Sequence, residues 1–347
     1  MLKRVIDKVS QRRDLAEEEA FQAMIDIMEG GVSAAQIAAY ITALRMKGET
    51  VSELVGSAKA MRAKALSLDR PFDQSLPLLD TAGTGGDGSQ TFNISTTAAF
   101  VAAGGGLQVA KHGNRSVSSR CGSADLLSAL GVKLAVSPVM VRRCLERIGV
   151  GFLFAPAFHT AMKHALIPRR EIGIRTIFNL LGPLTNPAGA NVQLMGVFNP
   201  ELTEPLAQVL RSLGTRSALV VHGEGSYDEI TTTGETKVSQ LLADQVTTYW
   251  IRPEEVGLKR AKPEEIRGGD ADCNADITLR ILQGEKGPKR DVVLLNAAAA
   301  FVLADKVNGL KQGVELAGHS IDSGNALRKL KQLISLTNSD GGAESND

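Results

Sequence analysis

The stretch from Leu78 to Ser119, LLDTAGTGGDGSQTFNISTTAAFVAAGGGLQVAKHGNRSVSS, constrains the fold more than any other part of the chain. An apolar run over 78–80 meets a glycine turn over 83–88, and Asn93-Ile-Ser-Thr96 then opens an apolar segment of helix length. A second apolar run, 107–110, feeds a polar loop that begins Lys111-His-Gly-Asn-Arg115. Strand, glycine turn and helix start aim backbone N–H groups at one place, where an anion can rest on the helix N-terminus. If the two apolar runs pair side by side, the second loop adds cations beside that place. The residues predict a phosphate site with metal-binding capacity.

The glycines alone decide little. Gly83, Gly85 and Gly88 fit G-x-G-x-x-G, but a dinucleotide fingerprint wants an acid about 20 positions further on. Here the next strand runs into Lys111, a cation. Asp87, inside the turn, would repel a pyrophosphate unless a divalent ion lay between them. No G-x-x-x-x-G-K-[ST] sequence occurs, which excludes the nucleotide P-loop. A glycine turn without a ligand is the plain alternative. Against it stand Asn93, Ser95 and Thr96 at the helix start and Lys111, Asn114 and Arg115 in the facing loop.

Several motifs in order carry a family resemblance. Gly83-Thr-Gly-Gly-Asp87, Asn93-Ile-Ser-Thr96, Lys111-His-Gly-Asn-Arg115 and Gly122-Ser-Ala-Asp125 are followed by Gly173-Ile-Arg-Thr176, Asn179-Leu-Leu-Gly-Pro-Leu-Thr-Asn-Pro187 and Tyr227-Asp-Glu-Ile230. Together they resemble the anthranilate phosphoribosyltransferases, the second step of tryptophan biosynthesis, from the N-terminal helices to about Ala304. The resemblance implies Mg²⁺-dependent transfer of phosphoribosyl from phosphoribosyl pyrophosphate to the amine of anthranilate. It implies donor contacts from Gly83, Gly86, Asp87, Thr91, Asn93, Ile94, Ser95, Thr96, from Lys111, His112, Gly113, Asn114, Arg115, Ser116, Val117, Ser118, Ser119, and from Ser123. Acceptor contacts fall on Gly83, His112, Asn114, Arg169 and Pro183. Arg169 is preferred to Arg170 from its offset to the Gly173-Ile-Arg-Thr block, and a guanidinium suits a carboxylate. Two Mg²⁺ ions per subunit are implied, one through Ser95 and the pyrophosphate, the other on Asp228 and Glu229. A homodimer through the N-terminal helices is the family's habit. Tyr227 and Ser128 depart from the family's common Leu and Glu at positions without chemistry.

Composition bounds the alternatives. A formal net charge of +1 with 4% aromatics makes no case for nonspecific nucleic-acid or membrane binding, nor for base-stacking platforms. The three cysteines, Cys121, Cys144 and Cys273, form neither C-x-x-C nor a disulfide framework, as expected in a reducing cytoplasm. His159 and His164 lie five apart, off the face a helical metal pair needs. The N-terminus lacks an apolar signal core and no run approaches about 18 apolar residues, so a soluble, cytoplasmic protein is expected. A pyrimidine nucleoside phosphorylase-like enzyme shares the architecture but would need no metal pair. A non-catalytic nucleic-acid-binding relative would want a basic groove.

The pattern along the chain predicts an α/β fold: a small all-helical N-terminal domain and a large domain with a mainly parallel central sheet. Residues 1–70 read as helices, with capping boxes at Asp14-x-x-Glu17, Ser33-x-x-Gln36 and Thr50-x-x-Glu53. A Pro/Asp linker over 69–77 follows, then an α/β domain over 71–336. Strands are predicted at 78–80, 107–110, 151–154, 192–198, 218–222 and 246–251. The resemblance implies that part of a basic helical segment near 160–190 returns to the N-terminal domain, leaving a cleft between the two bodies. The polar end, 337–347, is expected to be disordered.

Overall fold

The computed structural model describes residues 1–68, 76–116 and 120–339. Most of the expected linker, Val117, Ser118 and Ser119 of the second loop, and the end from 340 lie outside the described residues.

Four helices open the chain: α1 (Leu2–Ser10), α2 (Glu17–Met28), α3 (Ala34–Lys47) and α4 (Val51–Lys64). Ser33 and Thr50 cap α3 and α4 as the sequence predicts, each accepting from the N–H three residues on. Asp14 does not cap. The cap of α2 is Ala16, whose N–H donates to Glu19, while Asp14 pairs with Lys47 at 2.8 Å. Buried Glu53 ties the bundle together by accepting from Thr50 N–H, Leu15 N–H and Lys47 Nζ.

The second body alternates strands and helices: β1 (Leu78–Asp80), α5 (Ile94–Gly104), β2 (Gln108–Gly113), α6 (Ser123–Ala129), α7 (Pro138–Ile148) and β3 (Val150–Phe154). Then come α8 (Ala155–Phe158), α9 (Lys163–Ile172) and α10 (Ile177–Leu184), followed by β4 (Val192–Gly196), α11 (Thr203–Ser212) and β5 (Ser217–Gly223). A hairpin, β6 (Thr236–Leu242) and β7 (Gln245–Ile251), precedes α12 (Ala271–Leu282), α13 (Pro288–Leu303), α14 (Leu310–Asp322) and α15 (Asn325–Asn338). The sheet order is β3-β2-β1-β4-β5-β6-β7, parallel through β5 and antiparallel in the hairpin. The expected side-by-side pairing of β1 and β2 is present, with Leu78 opposite Gln108.

Three expectations are corrected. Lys111, His112 and Gly113 are not loop residues; they continue β2, paired with β3 through Gly113. Strand β6 is not among the expected strands, because TKVSQLL holds its apolar residues apart, at Val238 and Leu241-Leu242, and lacks the continuous apolar run that marks most of the others. Thr337 and Asn338 are the last turn of α15: Leu333 and Leu330 bury that helix, and Thr337 Oγ1 donates to the Leu333 carbonyl.

The sheet separates two cores by strand alternation. Leu194, Leu219 and Val221 face one core with α5, α12, α13 and α15, whose neighbour α13 carries the alanine run 297–300 that allows close packing. Met195, Val197, Ala218 and Val220 face the other, which α11 shares with the N-terminal helices, α9 and α10. Thus α9 and α10 leave the sheet's chain order to pack on α2, α3 and α4.

Candidate active site

The carboxyl ends of β1, β2, β4 and β5 converge on one edge, and the glycine turn lies across it. Gly196, at the end of β4, leaves room for the Asp228 carbonyl, which occupies the place a Cβ would take. That contact brings the segment after β5 against the turn. Gly85 N–H donates to Asp228 Oδ2 at 2.9 Å, and Asp228 N–H donates to Asp87 Oδ2 at 3.3 Å. Thr84 N–H donates to the Gly196 carbonyl at 2.8 Å. Ser95 meets Glu229 twice, through its N–H at 3.0 Å and through its hydroxyl.

The electrostatics follow from withdrawal from water. Asp228 is pushed well above the usual carboxylate range by desolvation first, then by the charges of Asp87 and Glu229. Glu229 is raised to about 7 by desolvation, with Lys111 and the Ser95 hydrogen bonds opposing. Lys111 is 4% exposed and donates to Thr81 O at 3.3 Å and Thr81 Oγ1 at 3.1 Å. Burial lowers its pKa, and Asp80, Glu229 and Asp228 work against that. Desolvated acids this close together cannot all ionise without a counter-ion. Among the described residues no three His, Cys, Asp or Glu gather into an all-protein metal cage. Asp228 and Glu229 are the carboxylates a hard ion such as Mg²⁺ could use, since it takes one or two and completes its shell with water and substrate phosphates.

The half where the acceptor contacts are expected is built differently. His112 Nδ1–H donates to the Gly182 carbonyl at 3.1 Å, which fixes its tautomer and leaves Nε2 a bare acceptor. His159 lies 5.2 Å away between ring centroids, and its Nε2 is likewise buried without a partner among the described residues. Burial depresses both imidazoles, to about 3 for His112 and about 4 for His159, so both are neutral. Arg169 is half-buried in the last turn of α9, 5.0 Å over the Phe178 ring, whereas Arg170 is exposed. Pro183 is buried in α10, and its carbonyl accepts from Gln193 Nε2 at 2.7 Å.

The expected residues divide into those the edge gathers and those it spends elsewhere. Gly83, Gly86, Asp87, Ser95, Lys111, Asp228 and Glu229 gather. Ile94 and Thr96 are each 1% exposed, sunk into the packing of α5. Thr91 forms a bridge with Arg267, and Asn93 donates to Cys121 O while accepting from Asn274. Arg115 pairs with Asp125 at 2.8 Å; Ser123 Oγ donates to Asn114 O, so Asn114, Arg115, Ser116 and Ser123 form one loop held by the α6 cap.

Two residues of the edge, Asp80 and Asn186, escape a reading of the sequence. Asp80 is fully buried, raised to about 6 by desolvation, and accepts from His112 N–H, Ala82 N–H and Asn186 Nδ2. Asn186 also donates to Ala110 O at 2.7 Å, fastening the 182–186 segment to the sheet edge. A lone acid ending an apolar strand was the available signal.

Comparison with known proteins agrees with this architecture. A glycosyl transferase family model for the a/b domain matches residues 75–327, and its helical bundle companion matches 3–65. The fold and the charged sheet edge therefore define a glycosyl transferase of the bundle-plus-a/b class. An anthranilate phosphoribosyltransferase from Acetivibrio thermocellus is 54% identical over 98% of this chain and 97% of its own. The crystal structure of the Thermus thermophilus enzyme of that name superposes with a TM-score of 0.89 at 47% identity, covering 96% of this chain and 98% of that one. The Saccharomyces cerevisiae enzyme in complex with PRPP and Mg gives 0.89 at 30% identity, covering 98% of both chains. The same yeast enzyme in complex with 4-fluoroanthranilate gives 0.87 at 28% identity, again over 98% of both. The chain belongs to the anthranilate phosphoribosyltransferase family.

Proposed function

We propose that the chain transfers phosphoribosyl from phosphoribosyl pyrophosphate to the amine of anthranilate, giving N-(5-phosphoribosyl)anthranilate and pyrophosphate in tryptophan biosynthesis. The observation that carries this reading is the meeting of Asp87, Asp228 and Glu229 with buried Lys111 and the turn's N–H groups at one sheet edge. The donor's phosphates bring roughly −4 to −5 charges near neutrality. Added to three acids, that sum exceeds what Lys111 and Arg115 can balance, so the reading requires divalent ions. The relatives' complexes with Mg and with PRPP support it. Ser95, Asp228 and Glu229 would hold two Mg²⁺ ions, whose chemistry is to neutralise the departing pyrophosphate.

The chain's own groups then position and polarise. Gly83 to Asp87 and Ser95 cradle the donor, and Lys111 faces its developing negative charge. The Arg169 guanidinium takes the acceptor's carboxylate, Pro183 bounds its ring, and the bare Nε2 atoms of the His112–His159 pair accept from its amine. The C–O bond to pyrophosphate breaks, the C–N bond forms, and the alkylated amine then sheds a proton. An aryl amine attacks through its neutral lone pair, so the neutral imidazoles orient rather than activate it.

The cleft lies between a helical body, 1–70 with the segment near 160–190, and the sheet body. Met46 is 73% exposed, and Leu166, Ile167 and Ile174 are also exposed on the helical body, which supports a homodimer through it. No helix of the described residues is long and apolar enough to cross a membrane, in keeping with a cytoplasmic enzyme. The test is loss of anthranilate fluorescence with the donor in magnesium buffer. Consumption that is independent of magnesium, or absent, overturns the reading.

A further inference from the structure

We propose that Arg175 is a positioning residue that couples the two halves of the cleft: it pins the glycine turn from the segment that carries the acceptor cation. This rests on the function proposed above and deepens it, since it assigns how one substrate's site senses the other.

Arg175 sits between α9 and α10. Its guanidinium donates to the Gly86 carbonyl and lies 4.3 Å over the Phe198 ring. Gly86 has φ +72°, a conformation that side chains rarely adopt, and a Cβ there would stand 3.5 Å from Arg175 Nε. Among the described residues the turn thus has three anchors. One is Thr84, which donates to Gly196 O and accepts from Phe198 N–H at 3.2 Å. Another is Asp228, through Gly85 and Asp87. Both of these belong to the sheet body. The third, Arg175, ties the turn to the segment joining α9 and α10.

That segment is short and held at each end by the acceptor half. Gly173 closes α9 in the left-handed conformation, at φ +67°, and Thr176 caps α10. Arg169 rests on Phe178, two residues beyond Thr176. An acceptor that fixes Arg169 therefore restrains Phe178 and the start of α10, and with them the base of Arg175. The turn, exposed at Gly85, has little buried contact of its own and is ordered by its anchors. Restraining one anchor before the donor arrives lowers the ordering left to be done, and the coupling must be reciprocal.

Calorimetry on wild type, Arg175→Ala and Arg175→Lys tests this. Donor binding is titrated in magnesium buffer with and without saturating benzoate, which offers Arg169 a carboxylate but has no amine to react. In wild type, benzoate should tighten donor binding at least about 5-fold. In Arg175→Ala the ratio should fall to near 1, with benzoate's affinity for the donor-free protein unchanged. Arg175→Lys should keep part of the ratio, because an ammonium reaches the Gly86 carbonyl but cannot stack as a guanidinium does; this variant carries the test if the alanine variant misfolds. A ratio preserved in Arg175→Ala, equal donor weakening with and without benzoate, or no ratio in wild type overturns the inference. Wild type that turns over the substrates without a ratio sinks the inference alone. Wild type that binds no donor sinks the functional reading and the inference with it.

Discussion

The two halves of the cleft take polar groups out of water by opposite means. On the donor side Asp80 and Lys111 are buried, Asp228 and Glu229 are half-buried, and all four are set against one another, so their charges are mutually dependent. On the acceptor side His112 and His159 are buried neutral, each bonded to a backbone carbonyl and each with a bare nitrogen. The first arrangement is stable only with added positive charge. The second wants a flat ligand carrying N–H donors. One edge of one sheet thus carries two unlike environments, because desolvation penalises a charge far more than a neutral ring.

The contrast can be broken most forcefully at the acids. Asp228→Asn with Glu229→Gln should lower turnover by at least about 100-fold at ordinary Mg²⁺ while leaving benzoate binding intact. Unchanged activity across a Mg²⁺ titration would remove both residues from the metal site. Chelation should act in the same direction more gently. Donor affinity measured by calorimetry in a chelated sample should drop about 10-fold or more, since two charges per ion are lost at a polyanion. Equal affinity in both buffers would refute the electrostatic argument for the donor half.

On the other side, Arg169→Ala should raise KM for anthranilate about 10-fold, the worth of a charge-assisted hydrogen bond, and raise donor KM less, by the coupling that an acceptor held at Arg169 supplies. A rise in donor KM alone would show Arg169 assigned to the wrong half. The imidazoles are tested through stability rather than turnover. Folded His159 resists protonation down to about 4, whereas the unfolded chain takes that proton near 6.5. Its contribution is present above 6.5 and is lost as pH falls toward 4. From pH 7 to pH 5 the loss should be about 2 kcal/mol, absent in His159→Asn, as read by urea unfolding. The comparison must be a difference between variants, because Asp80, held protonated up to about 6, slopes the other way.

Much of the molecule was legible from local chemistry. Ser33 and Thr50 cap their helices because a hydroxyl reaching an N–H three residues on needs no distant partner. Strand and helix start over 78–104 were legible for the same reason. Asp14 misled because Lys47 from α3 claims its carboxylate, while Glu17 pairs with Lys59 and Glu19 accepts the Ala16 N–H. Ile94 and Thr96 lie within a motif whose backbone matters, while their side chains belong to the core.

The sequence by itself determined the family, the N-terminal helices, five parallel strands and, from the motifs, Asp87, Lys111, Asp228 and Glu229, since these depend on order and local geometry. Tertiary structure alone decided that Asn186 fastens the acceptor segment to Asp80 across 106 positions, that Gly196 yields its place to the Asp228 backbone, and that Arg175 reaches Gly86. Burial and charge coupling are properties of neighbours in space. No spacing along the chain could state that Glu229 holds its proton up to about 7 or that two imidazoles stay neutral.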